Sequence, residues 1–128
     1  MTVSRIQFVT VPVADQAKAR DFYVEKLGFE VVVDRGGPAG RFVMVAPKGA
    51  QTGLVLVDYP ISGVTLTGPL HFQLDTTDLD ADVAALRGHG IEVPEPQVMP
   101  WGRATSFRDL DGNGVGLLEP SAFGNRPG

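Results

Sequence analysis

The sequence contains no cysteine. That absence excludes a disulfide framework, thiolate chemistry and a cysteine-ligated zinc site. It has little positive charge: Lys plus Arg is 11 against 15 for Asp plus Glu, a formal net charge of -4. No basic field is available to grip nucleic acid. No apolar run approaches the length of a membrane span. The opening residues, Met1 to Phe8, lack the apolar block of a signal peptide, so the expectation is a cytoplasmic protein with no membrane partner. What is abundant is punctuation. Sixteen glycines and ten prolines in 128 residues predict many short elements joined by tight turns. At 43% hydrophobic and 20% charged, the chain has the balance of one globular domain able to bury its own core.

The pattern along the chain predicts α+β architecture. Ile6 to Val13 is rich in β-branched residues and reads as a strand. Asp15 is placed to cap a helix in which Ala19, Phe22, Tyr23 and Leu27 recur at helical spacing, with Gly28 ending it. Strands follow at Phe29 to Asp34, Arg41 to Ala46 and Gly53 to Val57, the first two joined by a glycine-rich hairpin turn, Gly36 to Gly40. The order then repeats. Pro69 to Thr76 is a strand, Asp78 caps a helix with Leu79, Val83 and Leu86 on its apolar stripe, and Gly88-His89-Gly90 ends it. Further strands are expected at Ile91 to Val93, Arg103 to Phe107 and Val115 to Glu119. Both halves therefore read βαβββ. Module one is about 4–57, a linker 58–68 contains Pro60 and Gly63, and module two is about 69–120. Gly28-Phe29-Glu30-Val31 matches Gly90-Ile91-Glu92-Val93, and Arg41 matches Arg103. The reading is one domain, 1–128, of two tandem βαβββ modules forming a curved mixed sheet around a ligand cavity. Phe22, Leu27, Phe72, Leu74, Val83, Leu86 and Leu117 are expected between helices and sheet.

These residues carry a resemblance. Val13-Ala14-Asp15 followed by Asp21-Phe22-Tyr23-Val24-Glu25-Lys26-Leu27-Gly28-Phe29 is similar to the vicinal oxygen chelate superfamily. That group includes glyoxalase I, bleomycin-resistance proteins, extradiol dioxygenases and fosfomycin-resistance proteins. Asp109-Leu110-Asp111-Gly112-Asn113-Gly114 resembles its Asp-Pro-Asp-Gly-Asn turn, with Leu110 in place of proline. The likeness spans essentially the whole chain. It implies the fold, and it leaves the reaction open. Metal-dependent members use up to four ligand positions, and counting from Asp15, Asp78 and Asp109 places these at Phe8, Val55, His71 and Gly116. Only His71 of the four can ligate a metal, whereas a catalytic site needs about three protein ligands. The alternative set is Gln7, His71 and Glu119. Strand alternation turns Gln7 and Glu119 to the opposite face unless a bulge intervenes.

Other candidates come from the residues themselves. Gln73 and Asp75 alternate with His71 and share its face. Trp101, the single tryptophan, either covers the edge of the core or offers an aromatic wall to a planar ligand. Arg41 and Arg103 are either solvated strand-end charges or recognise a carboxylate or phosphate at the cavity rim. Asp109 and Asp111 are better explained by the turn than by chemistry, and His89 by the helix end. The ligand-binding candidates are thus Phe8, Arg41, Val55, His71, Gln73, Asp75, Trp101, Arg103 and Gly116.

Three functions compete. The first is a metal-independent small-molecule binding protein, resembling the bleomycin-resistance branch, which sequesters an antibiotic or natural product. It would need no cofactor and would be a homodimer. The second is a metal-dependent glyoxalase-like lyase or dioxygenase. The third is a metal-free isomerase, cyclase or lyase with His71 or Asp75 as acid or base. The ligand count argues against the second, and the residues do not separate the first from the third.

Overall fold

The computed structural model describes residues 1–37, 40–60 and 69–121. The chain divides into two compact units, Met1–Pro69 and Leu70–Gly128. Gly63 and most of the expected linker, and Pro38-Ala39 of the hairpin turn, lie outside the described residues.

The first unit runs β1 (Phe8–Pro12), α1 (Gln16–Leu27), β2 (Glu30–Arg35), β3 (Phe42–Ala46) and β4 (Gly53–Val57). Its sheet has the order β1-β4-β3-β2, with β1 parallel to β4 and the other pairs antiparallel. The second unit repeats this with β5 (His71–Asp75), α2 (Leu79–Gly88), β6 (Gln97–Met99), β7 (Gly102–Arg108) and β8 (Gly114–Pro120). Its order, β5-β8-β7-β6, is the same topology. The two βαβββ modules are as the sequence predicts, built as two four-stranded mixed sheets.

Both helix starts are capped as expected. Asp15 accepts a hydrogen bond from the Lys18 N–H, and Asp78 from the Ala81 N–H, each at 3.0 Å. Both helices end on a left-handed glycine, Gly28 at φ 73° and Gly90 at φ 81°. The next amides, Phe29 and Ile91, reach back to Tyr23 and Leu86 at 3.1 Å. The matching four-residue segments of the two halves thus both end a helix through a left-handed glycine, the first reaching back six residues and the second five. In the first unit Val11, Ala19, Phe22, Tyr23, Phe29, Val43, Val45 and Leu56 are buried. In the second Leu79, Val83, Leu86, Phe107, Val115 and Leu117 are buried. Leu27, Phe72 and Leu74 are half-buried.

One expected strand moves. Ile91 to Val93 forms no strand, and the pairing with β7 is made by Gln97–Met99. Pro94 and Pro96 have no amide to give a ladder. Side chains take the carbonyls instead. Arg87 donates to Val93 at 2.8 and 3.2 Å, and Thr105 donates to Pro94 at 2.8 Å. Val93 is buried as a core residue without being a strand residue.

The turn before β8 is rigidly built. One carboxylate oxygen of Asp109 accepts from the amides of Asp111 and Asn113, and the other from the Asn113 side chain, all at 2.9 Å. The Asn113 side-chain oxygen then accepts the Leu70 N–H at 2.8 Å, while the Gly114 N–H donates to the Leu70 carbonyl at 2.8 Å. Both backbone groups of Leu70 are thereby held one residue before His71. Asp109 and Asn113 are buried structural groups, which accounts for the first aspartate of this turn.

Two stability outcomes follow. Phe22→Ala should cost about 3–5 kcal/mol in denaturant unfolding, as a buried aromatic truncation. Asn113→Ala should cost about 2–4 kcal/mol, because it removes the acceptor of the Leu70 amide and a side-chain donor to the buried Asp109 carboxylate. A loss below about 1 kcal/mol for either would contradict this packing.

Candidate functional site

Each helix covers one face of its own sheet, so strand alternation sorts every side chain to the helix side or to the opposite face. In the first unit the ladder pairs Thr10 with Val55 and Val55 with Met44. Phe8, Thr10, Phe42, Met44 and Val55 therefore share the face opposite α1. Phe8 and Phe42 meet edge to face with ring centroids 6.0 Å apart. The centre of this face is apolar, with Phe8, Phe42 and Met44 half-buried and Val55 buried, while Arg35 lies at its β2 edge in line with Phe42.

In the second unit the face opposite α2 is polar. The ladder aligns His71 with Gly114 and Arg108, and the next row aligns Gln73 with Gly116 and Ser106. Asp75 follows, aligned with Leu118 and Ala104. His71, Gln73, Asp75, Ser106 and Arg108 are exposed. The two glycines allow side chains to lie flat across β8. A Cβ at Gly114 would sit 2.6 Å from His71 Nδ1, and one at Gly116 would sit 2.3 Å from Gln73 Oε1. A cleft of about 300 Å³ lies beside this row, with Gln97, Met99, Ala104 and Ser106 in its wall.

Arg41, Arg103 and Glu119 are placed on the helix side. Arg41 pairs with Asp34, which also accepts from Arg20 of α1 at 2.6 Å. Arg103 makes a two-pronged contact with Asp80 of α2 at 2.9 and 3.2 Å. Glu119 accepts the Leu79 N–H at the start of α2 at 3.1 Å, and lies 3.7 Å from Arg103. These groups tie sheet to helix. The Arg41 and Arg20 guanidiniums hold the Asp34 carboxyl below its ordinary range, and Arg103 does the same for Asp80. The backbone carbonyl of Gln7 accepts from Gly53 ahead of β1. Trp101 sits in the turn between β6 and β7, 50% exposed, with its carbonyl held by the Ser121 amide. His89 closes α2 through its backbone amide.

Among the ligand-binding candidates, the structure thus brings Phe8 and Val55 together in the first unit, and His71, Gln73, Asp75 and Gly116 in the second. It adds Phe42 and Met44 to the first group and Ser106 and Arg108 to the second. The signal for these four was present: they alternate with the core residues Val43, Val45 and Phe107. The donor set at the four counted positions remains a single imidazole. Among the described residues no group of three His, Asp or Glu side chains converges as metal ligands would.

The family model for the glyoxalase/bleomycin resistance protein/dioxygenase superfamily matches residues 5–117. The chain belongs to this superfamily. It is 34% identical to the uncharacterized protein YetH of Bacillus subtilis strain 168, over 87% of this chain and 94% of that one. It is 48% identical to TnmS3, an antibiotic binding protein from Streptomyces sp. CB03234, with TM-score 0.86 over 94% of this chain and 99% of that one. Lactoylglutathione lyase from Agrobacterium tumefaciens shares 22% identity at TM-score 0.72 over 93% and 96% of the chains. At that identity the likeness is one of fold.

Two outcomes test this geometry. Gly116→Ala should leave stability within about 1 kcal/mol, because the clash is with the free end of a flexible side chain, while displacing the Gln73 amide signals in an NMR spectrum. An undisturbed Gln73 would contradict the placement. Asp34→Asn should be less stable than the parent at neutral pH. A carboxylate whose folded pKa is depressed stabilises the fold above its unfolded value, 3.8. That advantage should fade as pH falls through the lower folded value. A difference between the two proteins that is constant from neutral pH to pH ~2 would refute the ion-pair assignment.

Proposed function

We propose that this protein binds a small organic molecule, an antibiotic or related natural product, without a metal and without transforming it. The supporting observation is the chemistry of the four counted positions. Phe8 and Val55 make one face apolar, Gly116 opens space on the other, and His71 alone offers a donor. A fold whose metal-dependent members need several ligands here has side chains suited to burying hydrocarbon and hydrogen-bonding a polar edge. The 48% identity to an antibiotic binding protein is in keeping with this. The protein acts in the cytoplasm as a homodimer. Outer strands β2 and β6 leave Val31, Val32 and Val98 44%, 52% and 81% exposed, and such edges favour symmetric pairing.

The direct experiment is native mass spectrometry of the untagged protein against a panel of natural-product antibiotics, with Trp101 fluorescence as a second readout. Unmodified ligand should be retained at one site per chain or per dimer. A ligand at 100 times its Kd should stabilise by about 2.7 kcal/mol, a shift of roughly 10 °C in Tm. Zinc, nickel, iron or manganese should leave Tm unchanged. A stoichiometric metal that raises Tm, or turnover of the ligand, would overturn the reading. Light scattering that finds only monomer at micromolar concentration would reject the dimer.

A further inference from the structure

We infer that His71, Gln73, Ser106 and Arg108 form a recognition site for an oxyanion, a carboxylate or an acidic phenol, on the ligand. This rests on the binding reading and specifies the ligand's polar group. Strands β5 and β7 flank β8, so His71 and Arg108 stand on either side of Gly114, and Gln73 and Ser106 on either side of Gly116. Two strand spacings separate each pair, about 10 Å between backbones. The glycines leave a floor with no side chain between them. The imidazole and the carboxamide lean over that floor, as their closeness to the missing Cβ positions requires.

Arg108 supplies the charge. In the second unit Arg87 pairs with Glu95 and Arg103 with Asp80. Arg108, among the described residues, has only a 3.5 Å contact to the Gly112 carbonyl. That contact uses one of five guanidinium donors and holds the side chain over the turn beside Gly114. A guanidinium and an imidazole carried on the same sheet face, on either side of a glycine, can offer the forked, charge-assisted hydrogen bonding that favours carboxylates. Asp75 lies beyond Gln73 on the same face, so the face is polarised along β5 and an anion is directed to the Arg108 end. Ser106 also lines the neighbouring cleft of about 300 Å³, whose wall combines Pro94, Met99 and Ala104 with Glu95, Gln97 and Thr105, so the rest of the ligand has room beside the site.

The test uses the intact protein and a matched pair of probes, 2-naphthoate and 2-naphthamide, followed by amide NMR shifts. The acid should shift His71, Gly114, Gly116 and Arg108 and bind about tenfold tighter than the amide. Arg108→Gln should remove that preference with the fold intact by the same spectrum. Gly114→Ala, which displaces the imidazole, should weaken the acid more than the amide. Equal affinity for the two probes, an unchanged preference in Arg108→Gln, or shifts confined to other residues would overturn the oxyanion site. So would the absence of any shift at millimolar probe. In each of these cases retention of an antibiotic in the mass-spectrometric screen would leave the binding reading standing, and its failure there would remove both.

Discussion

One helix per four-stranded sheet is the constraint on which the rest depends. A helix packs on one face only, so each module commits half of its alternating side chains to a core and leaves the other half uncommitted. The committed half is conventional. Val43, Val45 and Leu56 lie under α1, and Val115, Leu117 and Phe107 accompany α2. The uncommitted half is where the two modules diverge. One repeats Phe, Val and Met, and the other presents His, Gln, Ser and Arg around two glycines. Two modules of the same topology thus carry one largely apolar and one polar surface on the faces their helices do not cover.

The same division explains the arginines. Arg41 and Arg103 occupy equivalent places in the repeat, and both are held on the helix side by carboxylates. In the first module the partner, Asp34, is on β2 and is shared with Arg20. In the second it is Asp80 in the first turn of α2, where a negative charge also suits the helix dipole. Exposed pairs of this kind contribute little each. Their consequence is directional: each guanidinium is engaged on the helix side of its sheet and points away from the opposite face. Arg108 differs by alternation alone. It is five residues from Arg103, an odd number, and so emerges on the other side of the same strand.

The sequence carried the order of elements because period-two and helical patterns, aspartate caps and terminating glycines are local signals. Asp15, Asp78, Gly28 and Gly90 act as the pattern implies. The displaced strand near Ile91 was hidden because a buried apolar run and a paired strand look alike, and only the two prolines that follow argue between them. Of the candidate site, what was legible is which face each residue takes: alternation puts Phe8 and Val55 on one face of the first sheet, and His71, Gln73, Asp75 and Gly116 on one face of the second, as the ladders have them. Arg41 and Arg103 read as ligand candidates because strand-end arginines look the same whether a carboxylate or a ligand awaits them. The partners Asp34 and Asp80 are seven and 23 residues away, and no local rule connects them.

Gly114 and Gly116 show why the polar face needed a structure to be understood. In the sequence they belong to a Gly-rich turn and its following strand, where glycine is ordinarily a weakness. In the ladder they stand opposite His71 and Gln73, and the missing Cβ atoms are what let those side chains lie across the sheet. A larger residue at either place would push the imidazole or the amide outward. The glycines therefore set how closely the imidazole and the amide lie against the sheet. The Asp109–Asn113 turn sets their position, since Asn113 and Gly114 fix both backbone groups of Leu70, the residue before His71. A hydrogen-bonded buried turn and the absence of two side chains together place the polar groups, so this face is specified as much by buried and missing side chains as by the groups it presents.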